Sequence, residues 1–205
     1  MAERVAFQGI AGAYSEQAIH QFFGPRVESA AQDTLEDIFL VVEEGQADYG
    51  MLPVENAVAG SVNRSYQLLM EHDLRIHAEV ILRVRHMLLA APGTKSGDIT
   101  QVRSHPQALA QCQHYLERHE LKAMPSFDMA GAARDLATAP KSGVAVVASA
   151  LAAALYNLEI IDEDIEDYLT AAEPPSHDDW KSDEATKNQA ANYGSGYVER
   201  LRDLK

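Results

Sequence analysis

The chain has 205 residues, 46% of them apolar and 23% charged, the proportions of an ordinary globular protein long enough to bury a core. A formal net charge of −14 argues against nucleic acid and anionic membrane as partners, but not against a small anion, which local backbone N–H groups hold whatever the overall charge. No apolar run approaches the roughly 20 residues of a membrane span, and the single cysteine, Cys112, excludes an internal disulfide and fits a reducing cytoplasm.

The opening MAERVAFQG lacks the shape of a signal peptide, which makes a cytoplasmic protein the expectation. Residues 4–9 read as a short strand ending in glycine. Residues 12–24 follow as an amphipathic helix, with Ser15 as N-cap and Gly24 as stop. The plan repeats over 34–46, where Thr34 caps, Glu36 and Asp37 occupy the first turn and Gly45 ends the helix. ADYGMLPVE is the next strand, breaking at Pro53. GSVNRSYQLLMEH is another helix, with Val62, Tyr66, Leu69 and Met70 on its apolar side. A long β-rich run over 75–93 ends in a turn at Pro92-Gly93. Strand and helix then recur over 99–119, 122–140 and 142–158. The acidic stretch 159–167 reads as solvated surface. Beyond it the texture is polar and aperiodic, a loosely held tail carrying Trp180 and a short last helix from Tyr197. Alternating strands and helices predict α/β units on a largely parallel sheet, with ligands beyond the C-terminal strand ends.

Three strand-to-helix turns therefore draw attention. QGIAGAYSE (8–16) sets two glycines before a helix N-terminus, where N–H groups can face an anion. PVENAVAG (53–60) adds Glu55 and Asn56. SHPQALAQ (104–111) places Ser104, His105 and Gln107 at the head of a helix that Pro106 starts. Each also has a plainer explanation in turn chemistry and capping, and it is their number that argues for one shared cleft. Cys112 reads as a small core residue. Arg83, Arg85 and His86 read as an exposed alternating face. No HExxH or CxxC spacing suggests a metal.

These turns, in this order, resemble the prephenate dehydratase family. The resemblance runs from VAFQGIAGAYSEQA through ADYGMLPVENAVAGSV, HDLRIHAEV, RHMLLA, SHPQALAQC and FDMAGAA to ASALAAALYNLEIIDEDIED, over roughly residues 4–167. It implies an α/β, two-lobed fold like a type II periplasmic binding protein, with the ligand cleft between the lobes. The implied catalytic region covers 1–167, with lobe one at about 1–80 plus the end of the region and lobe two at about 81–158. The lobe changes are expected near 80–86 and 155–162. Residues 168–205 form a divergent tail, too short and irregular for the family's regulatory ACT domain.

The implied reaction turns prephenate, a small dicarboxylate, into phenylpyruvate with loss of water and carbon dioxide, using no metal or organic cofactor, in a homodimer or higher assembly. The implied substrate-binding residues are Gly12, Ala13, Tyr14 and Ser15 in the first turn, Glu55, Asn56 and Ala57 in the second, and Ser104, His105, Gln107, Ala108 and Leu109 in the third. The proton donor has no assignment. The family's Thr-Arg-Phe motif is absent, and the neighbours of Thr170 do not match it. Two more hydroxyls are replaced: Glu-Asn-Ser reads Glu55-Asn56-Ala57, and Asp-Thr-Ala reads Asp128-Met129-Ala130. Alongside the dehydratase stand two other readings, a decarboxylase that keeps the C4 hydroxyl and a carboxylate-binding module without turnover.

Overall fold

The computed structural model describes residues 2–56, 60–167 and 196–203, the last stretch through its backbone. In the first lobe, β1 (Arg4–Gln8), β2 (Glu28–Gln32) and β3 (Tyr49–Asn56) run parallel, joined by α1 (Tyr14–Phe23) and α2 (Leu35–Glu43). A short β4 (Gly60–Ser61) folds back on the end of β3, and α3 (Asn63–Glu71) leads into β5 (Arg75–Arg83). The second lobe takes β6 (Met87–Ala90), β7 (Gln101–Ser104), β8 (Lys122–Pro125), β9 (Val144–Ala148) and β10 (Glu159–Asp162). Its helices are α4 (Pro106–Gln111), α5 (Gln113–Arg118), α6 (Met129–Thr138) and α7 (Ala150–Tyr156). Far along the chain, β11 (Gly196–Asp203) returns to the first sheet, whose order is β2-β1-β3-β11-β5; the second sheet runs β10-β6-β9-β7-β8.

Each sheet is thus a parallel trio with antiparallel additions, not a largely parallel whole. The additions β6 and β11 pair antiparallel with their neighbours. The chain leaves the first sheet after Arg83 and joins the second at Met87, and β10 still belongs to the second sheet.

Packing follows the expected periods. Leu35, Ile38, Phe39 and Val42 put one stripe of α2 against Ala6, Leu52 and Leu68. Its start is set by a reciprocal capping box between Thr34 and Asp37. β9 is buried throughout, and its residues alternate between two cores: Val144, Val146 and Ala148 face α6 and α7, while Ala145 and Val147 face α4 and α5.

Several local expectations need correction. Ser15 does not cap α1; Ala13 is the cap residue without a side-chain bond, and Glu16 reaches back instead to accept from the Gly12 N–H at 2.6 Å. A carboxylate is the stronger acceptor there. Pro53 does not end β3, because the pairing with β11 slips register opposite it and no ladder donor is required of the proline. On α3 the buried residues are Ser65 and Leu68, while Met70 is 83% exposed. The helix foreseen after Ser104 is interrupted at Cys112, whose backbone (φ −114°, ψ 18°) leaves the helical region. From Tyr197 the chain is strand, not helix: the facing edges of β3 and β5 offer a full ladder, which overrides the helical preference of Glu-Arg-Leu-Arg. Trp180, Thr170 and the rest of 168–195 lie outside the described residues. Among the described residues no helix is long and apolar enough to cross a membrane.

Ending the chain at residue 195 removes β11 and leaves two strand edges unpaired. With backbone bonds contributing about 1 kcal/mol each, the expected loss is several kcal/mol in urea unfolding. A truncated chain as stable as the full one overturns this pairing.

Candidate functional site

The turns that follow β1 and β9 come together where the two lobes meet. Hydrogen bonds join them. The Ser149 hydroxyl, at the head of α7, donates to the Gly12 carbonyl at 2.7 Å while accepting from Ala152 N–H as the N-cap. From the far end of α7 the Tyr156 hydroxyl donates to the Ala11 carbonyl at 2.6 Å. Within the second lobe, the Ser104 hydroxyl donates to the Val147 carbonyl at 2.7 Å, tying the end of β7 to that of β9. Ser126 N–H donates to the Ser104 carbonyl and draws in the β8–α6 turn. The next turn of chain carries Met129, which packs against both cores of the second lobe and against the Val5, Phe7 and Tyr14 core of the first.

The first turn is a latch between lobes. The Gly12 N–H donates to Glu16, the Ala13 N–H to Ile10 (3.1 Å) and the Gly9 N–H to Gln32 (2.9 Å), so these donors are satisfied within the protein. Gly12 has φ +91°, and a Cβ there lies 3.0 Å from Ala152. Tyr14 is buried, with its hydroxyl directed at Arg85 and His86, and Ser15 sits in the first turn of α1. Burial raises the Tyr156 phenol above its ordinary pKa; Arg134 opposes this, while Glu16 and Asp128 add to it.

The second turn is strand, with Glu55 exposed and the Asn56 amide 3% exposed at the end of β3. Asn56 stands opposite Gly60 of β4 on one side and the start of β11 on the other. Ala57 lies outside the described residues. In the third turn Ser104 is buried and internally bonded, and Ala108 and Leu109 belong to the core beneath. His105 and Gln107 are half-buried at the surface of this turn. His105 is the N-cap of α4: its Nδ1 accepts from the Gln107 N–H at 3.2 Å, so the neutral ring carries its proton at Nε2.

Sequence reasoning passed over two participants. Ser149 follows a buried strand and precedes a helix, as Ser104 does, and that repetition was a usable signal for a fourth turn. Tyr156 gave none, and Met129 drew notice only as an apolar residue in place of a hydroxyl. The acidic stretch was also misjudged: Ile165 and Glu166 are buried at 3% and 5%, and Glu166 accepts from the backbone N–H of His86, itself 1% exposed and no part of an exposed face.

Gly12→Ala tests the latch against Gly45→Ala, since Gly45 also has positive φ (+70°) but open space around it. Both variants bear the backbone penalty of about 1–2 kcal/mol. Only Gly12→Ala is expected to lose more, with faster hydrogen exchange along α7. Equal losses argue against the latch.

A profile of the family described as prephenate dehydratase matches residues 5–172. The chain is 45% identical over 166 residues to arogenate dehydratase/prephenate dehydratase 6, chloroplastic, of Arabidopsis thaliana, covering 80% of this chain and 40% of that protein. It is 46% identical over 166 residues to arogenate dehydratase 1 of Petunia hybrida, covering 80% and 39%. It thus spans about two-fifths of the length of these curated relatives. Among solved structures, a protein described as a novel type of quorum quenching acylase, GqqA, superposes with a TM-score of 0.81 at 30% identity, over 99% of this chain and 64% of that one. Prephenate dehydratase from Arthrobacter aurescens in complex with L-Phe gives a TM-score of 0.77 at 24% identity, over 98% and 60%, a likeness of fold. With the family's profile covering every strand from β1 to β10, the chain belongs to the prephenate dehydratase family.

Proposed function

We propose that the chain forms the cleft of a decarboxylating dehydratase that converts prephenate to phenylpyruvate, a lyase step toward aromatic amino acids. The observation that carries this reading is the junction of the turn after β1 with the head and the far end of α7, which closes one lobe on the other, in a chain of this family. In the reaction the bond from the ring to its carboxylate breaks, carbon dioxide leaves, and the electron pair enters the ring. The C4–O bond breaks as one proton is taken up, so hydroxide departs as water. Aromaticity drives the step, and the protein has to orient two carboxylates and assist the leaving hydroxyl.

Because the N–H groups of Gly12 and Ala13 are engaged within the protein, recognition falls to Asn56, Glu55, Ser15, Gln107 and the Nε2–H of His105. The names of the plant relatives add arogenate, which differs from prephenate in its side chain and not in the ring that reacts. The lone, buried Cys112 suits a reducing compartment such as the cytoplasm, and a homo-oligomer is the expected assembly.

Incubation with prephenate and separately with arogenate, each beside substrate alone, tests this. Phenylpyruvate or phenylalanine well above the spontaneous background is expected. Asn56→Ala should lower kcat/KM by at least about tenfold, equivalent to about 1.4 kcal/mol of transition-state stabilisation. Carbon dioxide with a hydroxyl-bearing product assigns a decarboxylase instead, and thermal stabilisation by prephenate without turnover assigns a binding module.

A further inference from the structure

Between Arg83 and Met87 the chain passes from one sheet to the other, and there it buries polar groups that the cleft chemistry does not use. His86 is 1% exposed, Tyr14 5%, Gln111 4% and Glu166 5%. The imidazole spans the lobes. Its Nδ1 lies 2.8 Å from the hydroxyl of Tyr14, on α1 of the first lobe, and its Nε2 lies 2.7 Å from Oε1 of Gln111, on α4 of the second. The backbone is held as firmly: His86 N–H donates to Glu166 at 2.8 Å, and Ile165 N–H donates to the His86 carbonyl at 3.0 Å. Apolar side chains of similar volume fill such a space without the cost of desolvating polar groups, so stability alone does not explain the choice.

Counting protons defines the state of the ring. Oε1 of Gln111 only accepts, so Nε2 carries a hydrogen. In the neutral ring Nδ1 then accepts from the Tyr14 hydroxyl. Burial favours that neutral form by lowering the imidazole pKa, against an opposite pull from Gln111 and from Glu166. The Tyr14 hydroxyl also lies 2.8 Å from the Arg85 carbonyl, so one proton has two acceptors. A proton added at Nδ1 makes that nitrogen a donor and turns the Tyr14 proton to Arg85 alone.

We propose that His86 is a positioning residue, a pin that joins Tyr14 of the first lobe to Gln111 of the second and so fixes the Gly12–Ser15 turn relative to the His105–Gln107 turn. Its catalytic consequence rests on the dehydratase reading; the pin itself does not. The groups that face it are Tyr14 from α1, Gln111 from α4 and Glu166 from the returning segment. Glu16, two residues along α1, accepts from the Gly12 N–H, Arg85 is paired outward with Asp164 and Glu163, and the Asp167 carboxylate accepts from the His114 and Tyr115 N–H groups. Burial holds the His86 pKa below its ordinary 6.5, so the pin is formed by the neutral ring at neutral pH, and a proton gained at Nδ1 keeps the contact with Tyr14 and reverses its direction.

The test uses the full chain with Tyr14→Phe and His86→Gln. Imidazole nitrogen NMR at pH 7.5 should show His86 neutral with its proton on Nε2. In Tyr14→Phe, amides 12–15 and 107–109 should exchange at least about tenfold faster with little change in Tm. On active protein, both variants should lower kcat about tenfold with KM within about twofold. Unchanged exchange in Tyr14→Phe overturns the pin. A silent assay beside the expected tautomer and exchange counts against the dehydratase reading and leaves the pin standing.

Discussion

Four consecutive residues, 164–167, hold the two lobes to a single crossing. Asp164 pairs with Arg85, Ile165 N–H and the Glu166 carboxylate bind the two backbone groups of His86, and Asp167 N–H donates to the Gln111 carbonyl at 2.7 Å. The Asp167 carboxylate then accepts from the first amides of α5. These contacts do not weigh equally. Arg85 is nearly half exposed, so its ion pair, although it lowers the Asp164 pKa, contributes little in water. Glu166 is the opposite case: it is buried, and its carboxyl oxygen accepts the His86 N–H out of water, a bond worth about 1–3 kcal/mol. The relative placement of the lobes, and so of every turn at the seam, depends on this short segment.

What the crossing achieves is visible at the strand ends. The turns after β1 and β9 are brought together, and Ser149, Tyr156 and Met129 fasten the lobes by different means, two through backbone carbonyls and one through packing. Because the backbone of the first turn is occupied by this fastening, the site differs from a simple helix-terminus anion cradle.

Most of the architecture was legible because period and capping carry it. The α2 stripe, the Thr34 cap, the buried β9 and the succession of strand and helix all follow from side chains within a few positions of one another. The misreadings share a cause, which is that distant chain decided them. Ser15 lost its cap role to the carboxylate of the next residue, Glu16, which reaches back to Gly12. Pro53 stays in a strand because of a register slip in β11. Glu166 looks solvated beside its acidic neighbours, and only the return of the chain over His86 buries it. At the site, sequence located the turns but not their division of labour. Ser104, a natural candidate for binding, ties two strands together, and the latch serine, Ser149, drew no notice.

The place of β11 has a consequence for biosynthesis. The second lobe draws its sheet from one continuous stretch, 87–162, and all its pairings become available as soon as that stretch has left the ribosome. The first sheet cannot close until residues 196–203 emerge, since β11 is the strand between β3 and β5. Through that interval the nascent chain carries a finished second lobe and a first lobe with two open ladders, the state in which edge strands recruit foreign partners. Slow, non-local closure of this kind puts the protein's dependence on chaperones in its earlier half, although the missing strand comes from its last.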